Sequence, residues 1–257
     1  MINSKDFIKY LDEKAEQYEV PGFIENDPIQ IPHLFSNKED VEIAGFLTSI
    51  FAWGLRKTIV RNATQLMQWM DNAPYDFIIN HQPEDLKKLQ KFVHRTFNSD
   101  DLLYFIYRLK TIYKQEGGLE NVFSLQLIKS NGEMKSAITG FKTSFFSEEH
   151  LARSQKHLPN PLSGSAAKRF NMFLRWMVRS DEKGVDFGLW KTIESAQLYL
   201  PLDVHTGNVA RILGLLNRKQ NDWKALEEVM LQLRKFDPID PVKYDFALFG
   251  MGVSGEI

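Results

Sequence analysis

The chain has 257 residues, with 32 Lys and Arg set against 33 Asp and Glu, and no cysteine. That length suits one large core or two modest lobes, and 43% apolar with 12% aromatic residues is ample for globular packing. The missing cysteines exclude disulfides, thiolate metal sites and cysteine-ligated iron–sulfur clusters, and a formal net charge of −1 gives no overall pull toward polyanions.

No apolar run reaches membrane-spanning length. The stretch from Met1 to Asp6 has neither a basic n-region nor an apolar h-region. The expectation is a cytosolic, nucleoid-associated protein with no membrane partner and no export signal.

Helical periodicity runs through almost every segment, and no stretch alternates with period two. Phe7, Ile8 and Leu11 predict a short opening helix, and Pro21-Gly22 and Asp27-Pro28 to Pro32 an irregular, proline-rich stretch. Ser36 to Glu39 reads as a capping box ahead of a helix burying Ile43, Phe46, Leu47 and Ile50 and ending near Trp53-Gly54. A second helix starts near Arg56, buries Ile59, Ala63, Leu66, Met67 and Met70, and stops before Pro74. The next begins at Asn98 or Ser99, buries Leu102, Ile106 and Leu109, and ends at Gly117-Gly118. Val122, Phe123 and Leu127, then Met134, Ile138, Phe141 and Phe145, mark two more.

From Leu151 to Ser180 the chain carries Arg153, Lys156, Lys168, Arg169, Arg175 and Arg179 without one acidic residue. The helix predicted over Ala166 to Arg179 buries Phe170, Phe173, Leu174 and Met177, which leaves Lys168, Arg175 and Arg179 along one polar edge. Later helices are marked by Val209, Ile212, Leu213 and Leu216, by Leu226, Val229, Met230 and Leu233, and by Tyr244, Ala247, Leu248 and Met251. The fold expected is all-α with ten or more helices. It is expected as two helical lobes, roughly 36–150 and 151–257, flanking a cleft, with segment 1–35 beside them.

Three features in the second half carry chemistry. Leu158-Pro159-Asn160-Pro161-Leu162-Ser163-Gly164-Ser165 is a proline-punctuated hairpin ahead of a helix. A glycine-bearing turn there aims backbone N–H groups at an anion, and the helix dipole assists. The ordinary alternative is a loop whose serine caps the helix. Lys168, beside Arg169 near that helix start, stands where an amine can serve as the nucleophile of Schiff-base chemistry, although a surface lysine is the commoner case. Asp203 follows Pro201 and precedes another helix, so its first reading is an N-cap. Within an apolar rim of Leu200, Leu202 and Val204 it could also stabilise a developing cation or relay a proton. Asp203 and His205 could be two metal ligands, but no third partner at helical spacing accompanies them.

The hairpin, Lys168, and Leu202-Asp203-Val204-His205 ahead of Val209 and Arg211 together resemble the helix-hairpin-helix DNA glycosylase superfamily. The 35-position interval from Lys168 to Asp203 is closest to its archaeal 8-oxoguanine branch. The resemblance covers Glu39 to the C-terminus. A single Gly164 stands where the family's hairpin carries two glycines. The chain also resembles an uncharacterised bacterial family that shares Phe51-Ala52-Trp53-Gly54, Asn171 to Met177 and Tyr244 to Gly250.

The glycosylase resemblance implies a bifunctional glycosylase and AP lyase acting on a damaged purine such as 8-oxoguanine in duplex DNA, without a cofactor or protein partner. Lys168 would attack the sugar and Asp203 assist. Ser163, Gly164, Ser165, Arg169, Arg175 and Arg179 would hold the backbone. Trp53, Leu55 and Arg56 would wedge beside the extruded base, and Trp176, Trp190 and His205 would line its pocket. Two alternatives stay open: a non-catalytic DNA-binding module on the same scaffold, and a metal-assisted enzyme on small phosphorylated substrates using Asp203 and His205.

Overall fold

The computed structural model describes residues 4–257, so the Met1–Asn3 stretch that entered the export reading lies outside the described residues. The chain opens on helix α1, Ser4–Tyr18, and divides into two compact units. One joins Met1–Glu25 to Asn160–Ile257, and the other spans Asn26–Pro159.

In the Asn26–Pro159 unit, two 3-10 turns, Pro28–Gln30 and Pro32–Leu34, lead into α2, Lys38–Ile50. Every α2 residue from Val41 to Ile50 is buried, as in a helix packed on all sides. Its start corrects the expected capping box. Asn37, not Ser36, is the N-cap and makes no side-chain cap bond, because Asn37 Nδ2 donates to Asp40, whose other oxygen accepts the Tyr75 N–H. Helices α3 (Arg56–Trp69), α4 (Pro74–Asn80) and α5 (Leu86–Leu89) follow. Pro74 opens α4 at a position where its missing N–H costs nothing.

A small antiparallel pair, β1 (Val93–His94) with β2 (Phe97–Asn98), then feeds α6, Ser99–Gln115. Strands of two residues are too short to show alternation, which is why periodicity misses them. Asn98 and Asp101 form a true capping box on α6. α7, Gly118–Lys129, and α8, Met134–Phe145, pack on each other and close a core around Phe46, Phe105, Phe141 and Phe145.

The other unit continues from α1 with α9 (Lys168–Val178), α10 (Val204–Ile212), α11 (Trp223–Phe236) and α12 (Tyr244–Ser254). α12 packs against both α1 and α10. The expected polar edge on α9 is absent. Phe170 to Val178 are all buried, and Arg175 and Arg179 are 3% and 5% exposed. Ile212, expected inside, ends α10 at the surface. Apart from the one two-stranded pair, the named elements among the described residues are helical, in keeping with an all-α class. No helix of the described residues is long and apolar enough to cross a membrane.

Candidate functional site

Asn160 to Lys168 forms a compact turn. A 3-10 turn over Pro161–Ser163 ends at Gly164, whose N–H bonds to the Pro161 carbonyl and whose φ is +95°. A Cβ there would meet open space, so the backbone angle, not crowding, calls for glycine. Ser165 Oγ accepts the Ala167 N–H at 3.2 Å, and Ala167 itself takes a left-handed φ of +51°. That second reversal starts α9 at Lys168, with no side chain capping its first turn. Ser163, Gly164 and Ser165 are exposed, as is Leu162.

Lys168 and Asp203 meet. Lys168 Nζ lies 3.4 Å from Asp203 Oδ2, with the lysine side chain 38% exposed and the aspartate 15%. Asp203 is also the N-cap of α10, its Oδ1 accepting the Thr206 N–H at 2.9 Å. One carboxylate therefore starts a helix with one oxygen and faces the amine with the other.

The loop between α10 and α11 ties these two starts together, and sequence reasoning passed it over. Asn221 Nδ2 donates to the Asp203 carbonyl at 2.8 Å. Asn221 Oδ1 is held by Arg211, whose guanidinium also donates to the carbonyls of Arg218 and Lys219 at 2.9 Å each. Gly207 leaves room for this, since a Cβ there would come within 2.7 Å of the Asn221 amide. On the other side, the Trp223 N–H donates to the Gly164 carbonyl at 3.0 Å, and Ser165 bridges to Asp222. Arg218 grips Asp222, the α11 N-cap, through both oxygens. An Asn-Asp pair just before an apolar helix was the available signal, legible as a cap but not as a strut.

Arg175 and Arg179, expected on DNA, are committed internally. Arg175 binds Asp186 and Asp245, and its guanidinium lies 4.3 Å from the Phe246 ring centroid. Arg179 contacts Glu19 at 2.6 Å, Asp186 at 2.7 Å and Asp240 at 2.8 Å. Burial works against the Arg179 charge, but Asp186, Asp240 and Glu19 outweigh it and hold the guanidinium well above its ordinary range. These buried cations are matched by carboxylates and are not presented to a phosphate. Arg169 is half-buried, and burial brings its guanidinium down to about 10.

The residues assigned to a base pocket divide. Trp176 and Trp190 are 0% and 1% exposed and belong to the core, Trp190 edge-on to Phe173. Neither has a free face for a base, which corrects that assignment. His205 is exposed and lies edge-on to Phe249 at 6.3 Å. Among the described residues, no group of three or more His, Cys, Asp or Glu side chains is placed to hold a metal ion.

In the Asn26–Pro159 unit, Trp53 is half-buried. It stacks on His157 at 6.1 Å, and its carbonyl lies 3.0 Å from His94 Nε2. Leu55 is 78% exposed, and Arg56, half-buried, begins α3 beside it. Arg95, on the β1–β2 turn, lies over Gly54, so this protruding corner is built from two separate segments.

Residues 27–254 match the family described as Protein of unknown function (DUF2400). The chain belongs to the DUF2400 family. No curated protein and no solved structure matches this chain. The matched span contains Lys168, Asp203 and the Asn221 strut, whereas the whole of α1 precedes it.

Proposed function

We infer that this DUF2400 chain is a DNA glycosylase with lyase activity, working through Lys168 and Asp203 on a damaged purine in duplex DNA. The observation that carries the reading is the 3.4 Å approach of Lys168 Nζ to Asp203 Oδ2, across 35 positions of chain, at the starts of two helices. Beside them stands an exposed turn with Gly164 at a positive φ. Backbone N–H groups in such a turn suit a phosphodiester.

In this reaction the Lys168 amine adds to the sugar C1′, and the base departs with its bonding electrons and takes up a proton. The sugar ring then opens to an iminium on the lysine nitrogen. Loss of a C2′ proton expels the 3′ phosphate. Asp203 accepts the ammonium proton that must leave first and passes it to the departing base, which restores the carboxylate charge that faces the oxocarbenium-like sugar. The Asn221 bond to the Asp203 backbone carbonyl holds the peptide that carries that carboxylate.

Borohydride reduces such an iminium to a stable amine, so a covalent protein–DNA adduct on an 8-oxoguanine duplex is the expected result, and Lys168→Gln removes it. No adduct across a panel of damaged purines, or an adduct that persists in Lys168→Gln, overturns the reading.

A second reading, a non-catalytic DNA-binding module, is favoured by Trp176 and Trp190 being core residues that cannot stack on an extruded base. It makes Lys168 a phosphate contact, whose loss weakens binding uniformly and lowers the salt slope by about one.

A further inference from the structure

Lys168, Asn171 and Arg175 stand at i, i+3 and i+7 of α9 and so share one stripe of the helix. Each cation on it meets an aspartate, Lys168 with Asp203 and Arg175 with Asp245. Among the described residues, two acceptors along this array have no donor: Asn171 Oδ1 and Asp245 Oδ1 are both buried without a hydrogen-bond partner. Thr206 Oγ1, three residues past Asp203, is a further buried polar atom in the same condition. Buried acceptors are normally satisfied. A proton on Asp245 would turn one of these bare acceptors into a donor.

We propose that Asp245 is a positioning residue for the Lys168–Asp203 pair, carrying a proton on its unpartnered oxygen so that Asp203, and not two carboxylates, faces the lysine. Burial pushes the Asp245 carboxyl up to about 7. Arg175 opposes this, Asp203 adds to it, and Lys168 opposes it again. Charged groups reach it from each neighbouring element. α9 brings Arg175 and Lys168, with Asp186 behind Arg175, and the α10 start brings Asp203. His205 of α10 sits against Phe249, further along α12. Asp12 of α1 and Lys243 of the turn before α12 are committed to each other, an ion pair at 3.0 Å. Above neutrality Asp245 adds a second negative charge beside that of Asp203. Below neutrality that charge is gone.

This role matters for chemistry because Lys168 and Asp203 are read as a reacting pair, but its test needs no DNA. The full chain, with aspartate carboxyls labelled with carbon-13, is titrated by NMR as wild type and as Lys168→Met. Lys168 is partly exposed, so that variant is expected to keep the fold. Removing the opposing cation is expected to raise the Asp245 midpoint by up to about one pH unit. In parallel, acetylation of Lys168 is followed against pH by mass spectrometry in wild type and Asp245→Asn. The amide copies the protonated state, so Lys168 labelling begins at a pH lower by up to about one unit.

A purely structural Asp245 lowers stability in Asp245→Asn without moving the labelling profile, and that result overturns the proposal. So does an Asp245 carboxyl in the ordinary aspartate range, or one indifferent to Lys168→Met. If Asp245→Asn does not fold, the Lys168→Met titration decides alone. Borohydride trapping on damaged duplex separates the two ideas. Shifted labelling without an adduct removes the glycosylase reading and leaves this one. An adduct with unshifted labelling does the reverse.

Discussion

Asn221 reaches back 18 positions to donate its side-chain N–H to the backbone carbonyl of Asp203 at 2.8 Å. The bond fixes the peptide from which the Asp203 carboxylate swings. Arg211 anchors Asn221 from the far side, while Trp223 and Asp222 hold the Gly164–Ser165 turn. Both sides of the Lys168–Asp203 pair thus hang on one short loop.

Asn221→Ala removes that strut while leaving the α10 cap, Asp203 to Thr206, in place. The expected stability loss is about 1 kcal/mol, the usual net value of one hydrogen bond. Under the glycosylase reading the adduct yield should fall by more than that loss of folded protein explains. Urea denaturation beside borohydride trapping measures both. An unchanged yield at equal folding would mean that Asp203 is positioned by its cap alone.

Arg179 collects Glu19, Asp186 and Asp240, and through Glu19 it ties the end of α1 to the rest of its unit. Arg179→Met leaves Glu19 and Asp186 buried without that cation. The expected cost is about 3–5 kcal/mol, the usual penalty for breaking a buried pair from one side. Part of the loss should recover as pH falls and the stranded carboxyls take up protons. Urea midpoints at pH 5 and pH 8 test this. Equal losses at both would show that the carboxylates find other partners.

Asp245 predicts a pH slope in stability. Its folded midpoint, pushed by burial up to about 7, lies above the ordinary aspartate value of 3.8. The folded state therefore binds more protons than the unfolded state between these values, and stability falls as pH rises through that window. With about 1.4 kcal/mol per unit, the effect is at most about 4 kcal/mol and levels off above pH 8. Asp245→Asn should flatten the slope, leaving a variant comparable to wild type near pH 4, where the carboxyl is protonated, but more stable than wild type above pH 8. A slope that survives the substitution would assign it to another group.

Much of this was legible in the sequence. Helix periodicity located α3, α6 and α8 because each presents one apolar face. The starts of α9 and α10 were legible because a glycine turn and an N-cap are local features, whereas the pairing of Lys168 with Asp203 came only from the resemblance. Arg175 was misread for a physical reason. Seven positions after Lys168, it shares the polar stripe of α9, and nothing local says that the stripe faces Asp245 and Asp186 instead of solvent. Trp176 and Trp190 show the same limit, since an aromatic residue looks alike in a core and in a pocket. Asp245 left a trace, a lone carboxylate inside Tyr244 to Met251, and a charge in so apolar a run calls for a buried partner.

Gly164 and Gly250 should fail for opposite reasons when replaced by alanine. At Gly164 the space is open and the φ of +95° is the obstacle, so Gly164→Ala should cost about 1–2 kcal/mol. Gly164→Asn should recover part of that, because asparagine tolerates the left-handed region. Gly250 lies in a regular turn of α12, where alanine would favour the helix by about 1 kcal/mol. Its Cβ, however, would stand 2.2 Å from Tyr18 Cγ, near the root of a ring that α1 packs against α12. Overpacking of this kind costs about 1–3 kcal/mol and should outweigh the propensity gain. Tyr18→Ala in the same chain should then make Gly250→Ala neutral or stabilising, while leaving the cost of Gly164→Ala untouched. A double-mutant cycle from thermal melts reads this directly. Additive losses for Gly250→Ala and Tyr18→Ala would show that the α1–α12 contact yields without strain.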